Sequence, residues 1–315
     1  MLLGSATPAF SPAGLYGKLP AQGDFARVRA SEPAARALAL WLEAATEEAR
    51  RRGVPPLAGP VRFAIQLEQG GRILAGVLAA SRDKVGRPYP LAVFRSAEGR
   101  ALAESFPRVP EALGPFLDAA EGLLAEAATL PAAEVGARLD ALPPPAEPGA
   151  AEALARAEAA SGRALLQRLF GEAGPGQPLY AIHCVRSACQ AVRGRPPAQA
   201  RAVLDCPVRE PIDRWAWLEL SRRLLGWGTP PSFLWQDGAA PRLLLSAGPP
   251  PTSVYGALCG DAAAAGKLWP LTTRSQPALA AAGQALGPAV ARALERVEGS
   301  VAALLGVAAG EEGTR

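Results

Sequence analysis

Val61-Arg-Phe-Ala-Ile-Gln-Leu-Glu68, Gln69-Gly-Gly71 and Ile73-Leu-Ala-Gly-Val-Leu-Ala-Ala80 decide the fold class. In the first run Val61, Phe63, Ile65 and Leu67 alternate with Arg62, Gln66 and Glu68, the period-two pattern of a half-buried strand. Gln69-Gly70-Gly71 supplies a hairpin turn. Ile73–Ala80 is apolar without interruption, as expected of a central strand covered on both faces. Beyond the charged loop 81–87, Leu91–Phe94 completes a meander.

Upstream, residues 1–12 read as a loose arm and Leu15–Leu19 as a short strand, closed by Pro20 and a turn at Gln22-Gly23-Asp24. Ser31-Glu32-Pro33 predicts a helix start, with a capping hydroxyl and a proline in the first turn. Leu38, Trp41, Leu42 and Ala45 then mark one apolar helix face. Gly53 and Pro55-Pro56 end that helix. Downstream, helices are predicted over 109–128 and 131–142. Pro143-Pro-Pro-Ala-Glu-Pro148 reads as a linker, because consecutive prolines cannot continue a helix. A helix over 150–170, strands over 178–185 and 202–206, and a helix over 211–226 follow. Phe233-Leu-Trp235 and Leu243-Leu-Leu245, around Asp237-Gly238, form a second hairpin, and an alanine-rich helical segment spans 276–307. The organisation is a mixed α/β protein with an N-terminal domain at 13–142, a linker at 143–149 and an α/β region at 150–315. No internal repeat is present.

Composition narrows the function class. Of the 315 residues, 49% are hydrophobic, but much of that is alanine and aromatics reach only 6%. No window is long and apolar enough for a membrane span. The N-terminus lacks the basic and apolar regions of a signal peptide, so the expected compartment is the cytoplasm. The net charge of +4 comes from arginines interspersed with Asp and Glu. Its longest basic run, Arg50-Arg51-Arg52, falls at a predicted helix C-terminus, where it meets the dipole favourably. This pattern points away from nucleic acid. The only lysines are Lys18, Lys84 and Lys267, and two of them fall in the dense Gly/Pro segments considered below.

Catalytic chemistry is hard to assemble from this chain. The single histidine, His183, is next to Cys184 in a predicted strand, where neighbouring side chains point to opposite faces. Cys184, Cys189, Cys206 and Cys259 lack the paired spacing of zinc modules and read as buried thiols. Gly17-Lys18 lacks the hydroxyl residue and upstream glycine of a phosphate loop. Ser81-Arg-Asp-Lys84 matches a bare S-x-x-K pattern, without the companion elements of serine acyl-enzymes. Gly171-Glu-Ala-Gly-Pro-Gly176 lacks a dinucleotide context and reads as a helix ending. No metal or cofactor is expected.

Two segments remain: Gly14-Leu-Tyr-Gly-Lys-Leu-Pro-Ala-Gln-Gly-Asp-Phe25 and Asp83-Lys-Val-Gly-Arg-Pro-Tyr-Pro-Leu91. Gly17, Gly23 and Gly86 permit positive φ or close approach, while Pro20, Pro88 and Pro90 stiffen the turns. Either X-Pro bond is a candidate for cis, Tyr89-Pro90 being the better one. Asp24 reads as a turn cap, Phe25 as a buried anchor, and Asp83 as a partner for Arg87. If the segments converge, Lys18, Asp24, Asp83, Lys84 and Arg87 make a polar surface framed by Tyr16, Phe25 and Tyr89. That mixture suits a protein interface and equally an internal ion-pair network.

These segments carry the G-K-L-P-x-x-G-D-F and D-x-V-G-R-x-[FY]-P-L signatures, and the chain resembles the type VI secretion-associated TagF family over residues 14–95. Ser232-Phe-Leu-Trp235 echoes the family's S-x-x-W strand, with Trp235 as its marker. Of the W-D-x-W-L helix pattern only Trp41-Leu42 remains, and residues 97–230 carry no matching motif. The resemblance implies a layered αβα sandwich around a central, partly antiparallel sheet. It also implies a cytosolic accessory protein that represses secretion after translation by binding a forkhead-associated-domain scaffold protein, alongside other secretion or baseplate components. The competing readings are a structural component of the assembly and a hydrolase using Ser81, Lys84 and Asp83.

Overall fold

The computed structural model describes residues 9–68, 71–145, 150–171, 176–238, 240–295 and 299–311. The 69–71 turn, the 143–148 stretch, the 171–176 ending, the N-terminal arm and the C-terminal tail therefore lie wholly or partly outside the described residues. In chain order the elements begin with β1 (Gly14–Lys18), β2 (Phe25–Val28), α1 (Pro33–Arg51), β3 (Val61–Ile65), β4 (Arg72–Ala79) and β5 (Leu91–Glu98). Helices α2 (Gly99–Leu102), α3 (Val109–Ala112), α4 (Gly114–Glu126), α5 (Val135–Asp140), α6 (Ala150–Ala159), α7 (Gly162–Phe170) and α8 (Gln177–Val192) follow. The remainder is β6 (Val203–Pro207), α9 (Pro211–Leu225), β7 (Ser232–Gln236), β8 (Arg242–Ser246), α10 (Ser253–Leu258), α11 (Ala262–Ala265), β9 (Trp269–Pro270), α12 (Gln276–Glu295) and α13 (Val301–Ala309).

The strands form a nine-stranded sheet in the order β2-β1-β5-β4-β3-β7-β8-β6-β9. Every pairing is antiparallel except β6 with β9. Helices cover both faces, giving the expected layered αβα arrangement. On one face α1, α10 and α11 bury Leu38, Trp41, Leu42 and Ala45 against Phe63, Leu74 and Phe94. On the other, α4, α8, α9 and α13 pack Phe116, Leu117, Trp217 and Leu218 against Ile73, Val77, Phe233 and Trp235. The long apolar run of β4 follows from this double cover. Strand β3 also lies under helices on both sides. Arg62 sits beneath α4, with Nε 2.6 Å from Glu121 Oε1 and an Nη nitrogen 2.6 Å from Asp118.

The two predicted hairpins meet at β3 and β7, where Phe63 pairs with Leu234 and Ala64 with Phe233. Ser232 Oγ accepts the Gln66 backbone N–H at 3.0 Å, and Trp235 stacks on Phe233. Helix α1 starts at Pro33 as predicted, but its N-cap is Glu32 with no side-chain capping bond, so Ser31 does not cap it. The Trp41 indole N–H reaches the Pro250 carbonyl at 2.7 Å and ties α1 to the segment before α10.

Residues 178–185 are a correction. They belong to α8, which opens at Gln177-Pro178 behind the left-handed Gly176. Ala181, Cys184, Val185, Ala188, Cys189 and Val192 form its buried stripe, a 3.6-residue period that the apolar start of the segment masked. His183 and Cys184 are thus on a helix, not in a strand. All four cysteines are buried free thiols, and burial pushes Cys189 up to about 12. Two edge strands, β2 and the two-residue β9, are too short to show a period in sequence.

A charged cluster lies across the β3–β7 seam. Arg214 of α9 pairs with Asp237, whose carboxylate is also 3.7 Å from Arg62 Nε. The Arg214 guanidinium lies 5.9 Å from the centre of the Trp235 ring. Glu111 Oε2, Arg214 Nε and Trp235 Nε1 are buried there without hydrogen-bond partners. Burial pushes the Glu111 carboxyl up to about 7, and Asp237 adds to the shift, although Arg214 opposes it.

Candidate functional site

The two signature segments converge at the β2–β1–β5 edge, as the β1–β2 turn and the β4–β5 loop. Strand β1 lies between β2 and β5, with Gly17 opposite both Ala26 and Leu91. At Gly17, φ is +137° and an added Cβ would stand 2.1 Å from the Pro90 carbonyl oxygen. Only glycine lets the two backbones approach this closely. Gly86, at φ +88°, turns the second loop. Gly23 has neither a positive φ nor an atom in the way of a Cβ. Its contribution is a carbonyl that accepts Arg87 Nη2 at 2.8 Å.

Asp83 is the centre of the arrangement and is only 2% exposed. Its Oδ2 accepts Lys18 Nζ at 2.8 Å and Arg87 Nε at 2.6 Å. Its Oδ1 accepts the backbone N–H groups of Val85 at 3.1 Å and Arg87 at 2.9 Å. An aspartate bonding the backbone just ahead of it is ordinary turn chemistry, here extended to a buried lysine on another strand. Burial alone would raise the Asp83 carboxyl. The bonds from Lys18, Arg87 and Val85 outweigh it and hold the group well below the usual carboxylate range. Two further bonds tie the loops together: Lys84 N–H donates to the Gln22 carbonyl at 2.8 Å, and Ser81 Oγ–H to the Lys18 carbonyl at 2.7 Å.

Behind this cage Tyr16, Phe25 and Tyr89 form an aromatic cluster. Phe25 stacks on Tyr16 at 5.6 Å and meets Tyr89 edge-on at 4.8 Å. Arg27 lies 5.8 Å from the centre of the Tyr16 ring. Both X-Pro bonds of the second loop are trans, so neither expected cis bond occurs. Pro88, Tyr89 and Pro90 instead wall a groove of about 490 Å³ with Pro55, Pro56 and Tyr255.

The predicted residues thus separate by position. Lys18, Asp83, Tyr16 and Tyr89 are buried and hold the loops, and Phe25 is half-buried among them. Asp24, Lys84 and Arg87 are exposed, and Asp24 Oδ1 also accepts the Phe25 N–H at 2.7 Å. Trp41 and Trp235 are core residues away from this edge. Ser81, Lys84 and Asp83 do not converge on one cavity: Ser81 lines the groove, Lys84 points to solvent and Asp83 is enclosed. Among the described residues, no group of three or more His, Cys, Asp or Glu side chains is arranged to hold a metal ion. Sequence reasoning passed over Arg82 and Val85, both exposed beside the cage. The Asp83 turn was the available signal, since it directs the intervening side chains outward.

The cage gives a testable consequence. An acid held below its unfolded value stabilises the fold above about pH 4, and that contribution fades as pH falls through the folded value. Asp83→Asn is expected to lower the melting temperature at pH 7, because Lys18 stays buried without its counter-ion. It should also flatten the acid limb below about pH 4 that the wild type shows. Thermal melts of both proteins from pH 2 to 7 check both effects.

Comparison with known proteins bears on these loops. Residues 14–142 match the family model described as TagF N-terminal domain, type VI secretion system-associated. The crystal structure of PA0076 from Pseudomonas aeruginosa PAO1 is 28% identical, with a TM-score of 0.35. That match covers 43% of this chain and 63% of the other, less than two thirds of its length. No curated protein matches. No described helix is long and apolar enough to cross a membrane.

Proposed function

We propose, from the match of residues 14–142 to the TagF N-terminal domain, type VI secretion system-associated, that the protein is a regulatory binding module of the secretion system. In this reading it is cytoplasmic, non-catalytic and cofactor-free. It represses secretion after translation by docking on a forkhead-associated-domain scaffold protein. The observation that carries the reading is the Asp83 cage, which fixes two loops as one unit and leaves Asp24, Lys84 and Arg87 at its surface. A preordered surface loses little entropy on docking. The Ser81 hydroxyl is bonded to a backbone carbonyl and Asp83 is committed to Lys18 and Arg87, which favours binding over acyl transfer.

Removing the gene from a strain with an active secretion system should raise secreted effector several-fold while component abundance stays constant. Full-length protein should also capture the forkhead-associated-domain protein. Unchanged or reduced output in the deletion strain overturns repression. Stoichiometric retention of the chain in purified assemblies would favour the structural reading instead.

A further inference from the structure

Val85 is 70% exposed, the most open of the three exposed large hydrophobic side chains among the described residues. It stands between Lys84 and Gly86 on a loop whose backbone is pinned by the enclosed Asp83. Arg82, Lys84 and Arg87 are all exposed around it. Arg87 is anchored to Asp83, whereas Arg82 and Lys84 make no ion pair with any described residue. Other exposed arginines are answered by a carboxylate, as Arg50 and Arg51 are by Glu47. On the paired loops the only exposed acid is Asp24.

We propose that the tip of this loop is a preformed contact knob, with Val85 at its apex and Arg82, Lys84 and Arg87 around it, that docks on an acidic protein face with an apolar socket. The inference rests on the binding-module reading and specifies its contact chemistry. An apolar centre inside a polar ring is the anatomy of a compact protein contact. The cations select a partner of opposite sign and raise the association rate. Nucleic acid would use the cations but gain nothing from Val85, and a single valine offers too little apolar area to hold a membrane, so a protein face fits better than either. The loop needs no ordering on contact, because its conformation is set by bonds within the chain.

The test uses the full chain and the forkhead-associated-domain protein of the same secretion system as probe, with calorimetry at low and high salt. Val85→Asp should weaken binding by about 30-fold, and Arg82→Glu with Lys84→Glu by about 100-fold. Both variants should melt as the wild type does, since none of the three side chains has a hydrogen-bond or ion-pair partner among the described residues to lose. Wild-type affinity should fall with salt. Unchanged affinity in both variants overturns the knob and leaves the binding reading intact. A wild type that captures nothing overturns both. Vesicles of phosphatidylserine and phosphatidylcholine form the control arm. Tight wild-type binding to them that fails on charge reversal overturns the protein face in favour of a lipid surface, whether or not it survives Val85→Asp.

Discussion

Gly17→Ala is expected to destabilise the protein by about 3 kcal/mol or more, lowering the melting temperature by roughly 5 °C and sharply reducing soluble yield. A single methyl group causes this because it has nowhere to go. At 2.1 Å from the Pro90 carbonyl oxygen it overlaps backbone of the adjacent strand, which no side-chain rotation relieves. Moving β5 away would break the Gly17–Leu91 pairing and draw the Asp83 loop off Lys18. The φ of +137° adds strain for any L-residue. Gly23→Ala is the internal control. It alters the same signature by the same group where nothing lies within 4 Å, and should change stability by less than about 0.5 kcal/mol. Equal melts for the two variants would show that the close approach between β1 and β5 does not limit stability.

Glu111→Gln should remove most of the pH dependence of stability between about pH 4.5 and 7. The wild-type carboxyl is held up to about 7 in the folded protein, against an ordinary value near 4.3 when unfolded. Between these values the folded state keeps a proton that the unfolded state has released. Stability therefore falls as pH rises, by about 3 kcal/mol across the window, and is flat above it. Burial explains the sign: the enclosed carboxyl disfavours its charged form, Arg214 only partly offsets this, and Asp237 adds to the shift. Glutamine keeps the shape and carries no titrating proton. Melts of both proteins at pH 5, 6, 7 and 8 should converge at the acid end and separate at the alkaline end, the variant being the more stable. A wild-type slope that persists in the variant would place the titration elsewhere.

Legibility from sequence followed the length and regularity of each pattern. Helix α1, the β3–β4–β5 meander and the β7–β8 hairpin each carry a full period of apolar residues or a turn marked by glycine. The 178–185 segment failed because Leu179, Ala181, Ile182 and Val185 make a short apolar run that fits either period, and only the buried positions through Val192 discriminate. The joining of β3 to β7 was not visible, since partner choice between strands distant in sequence leaves no local mark. The signature segments showed which residues belong together. They did not show which would be enclosed, because Asp83 and Asp24 are identical in chemistry and differ only in what surrounds them.

The β3–β7 pairing also governs how this protein can be divided. Paired with β4 on one side and β7 on the other, β3 is an inner strand, with Val61, Phe63 and Ile65 packed in the cluster that α1 covers. A cut after residue 145 would convert β3 into a bare edge and leave the Gln66 N–H without Ser232. Such an unpaired edge is a template for joining another chain. The segment that carries the signatures therefore depends on the C-terminal hairpin to keep that edge covered, although the hairpin contributes no residue to the loops.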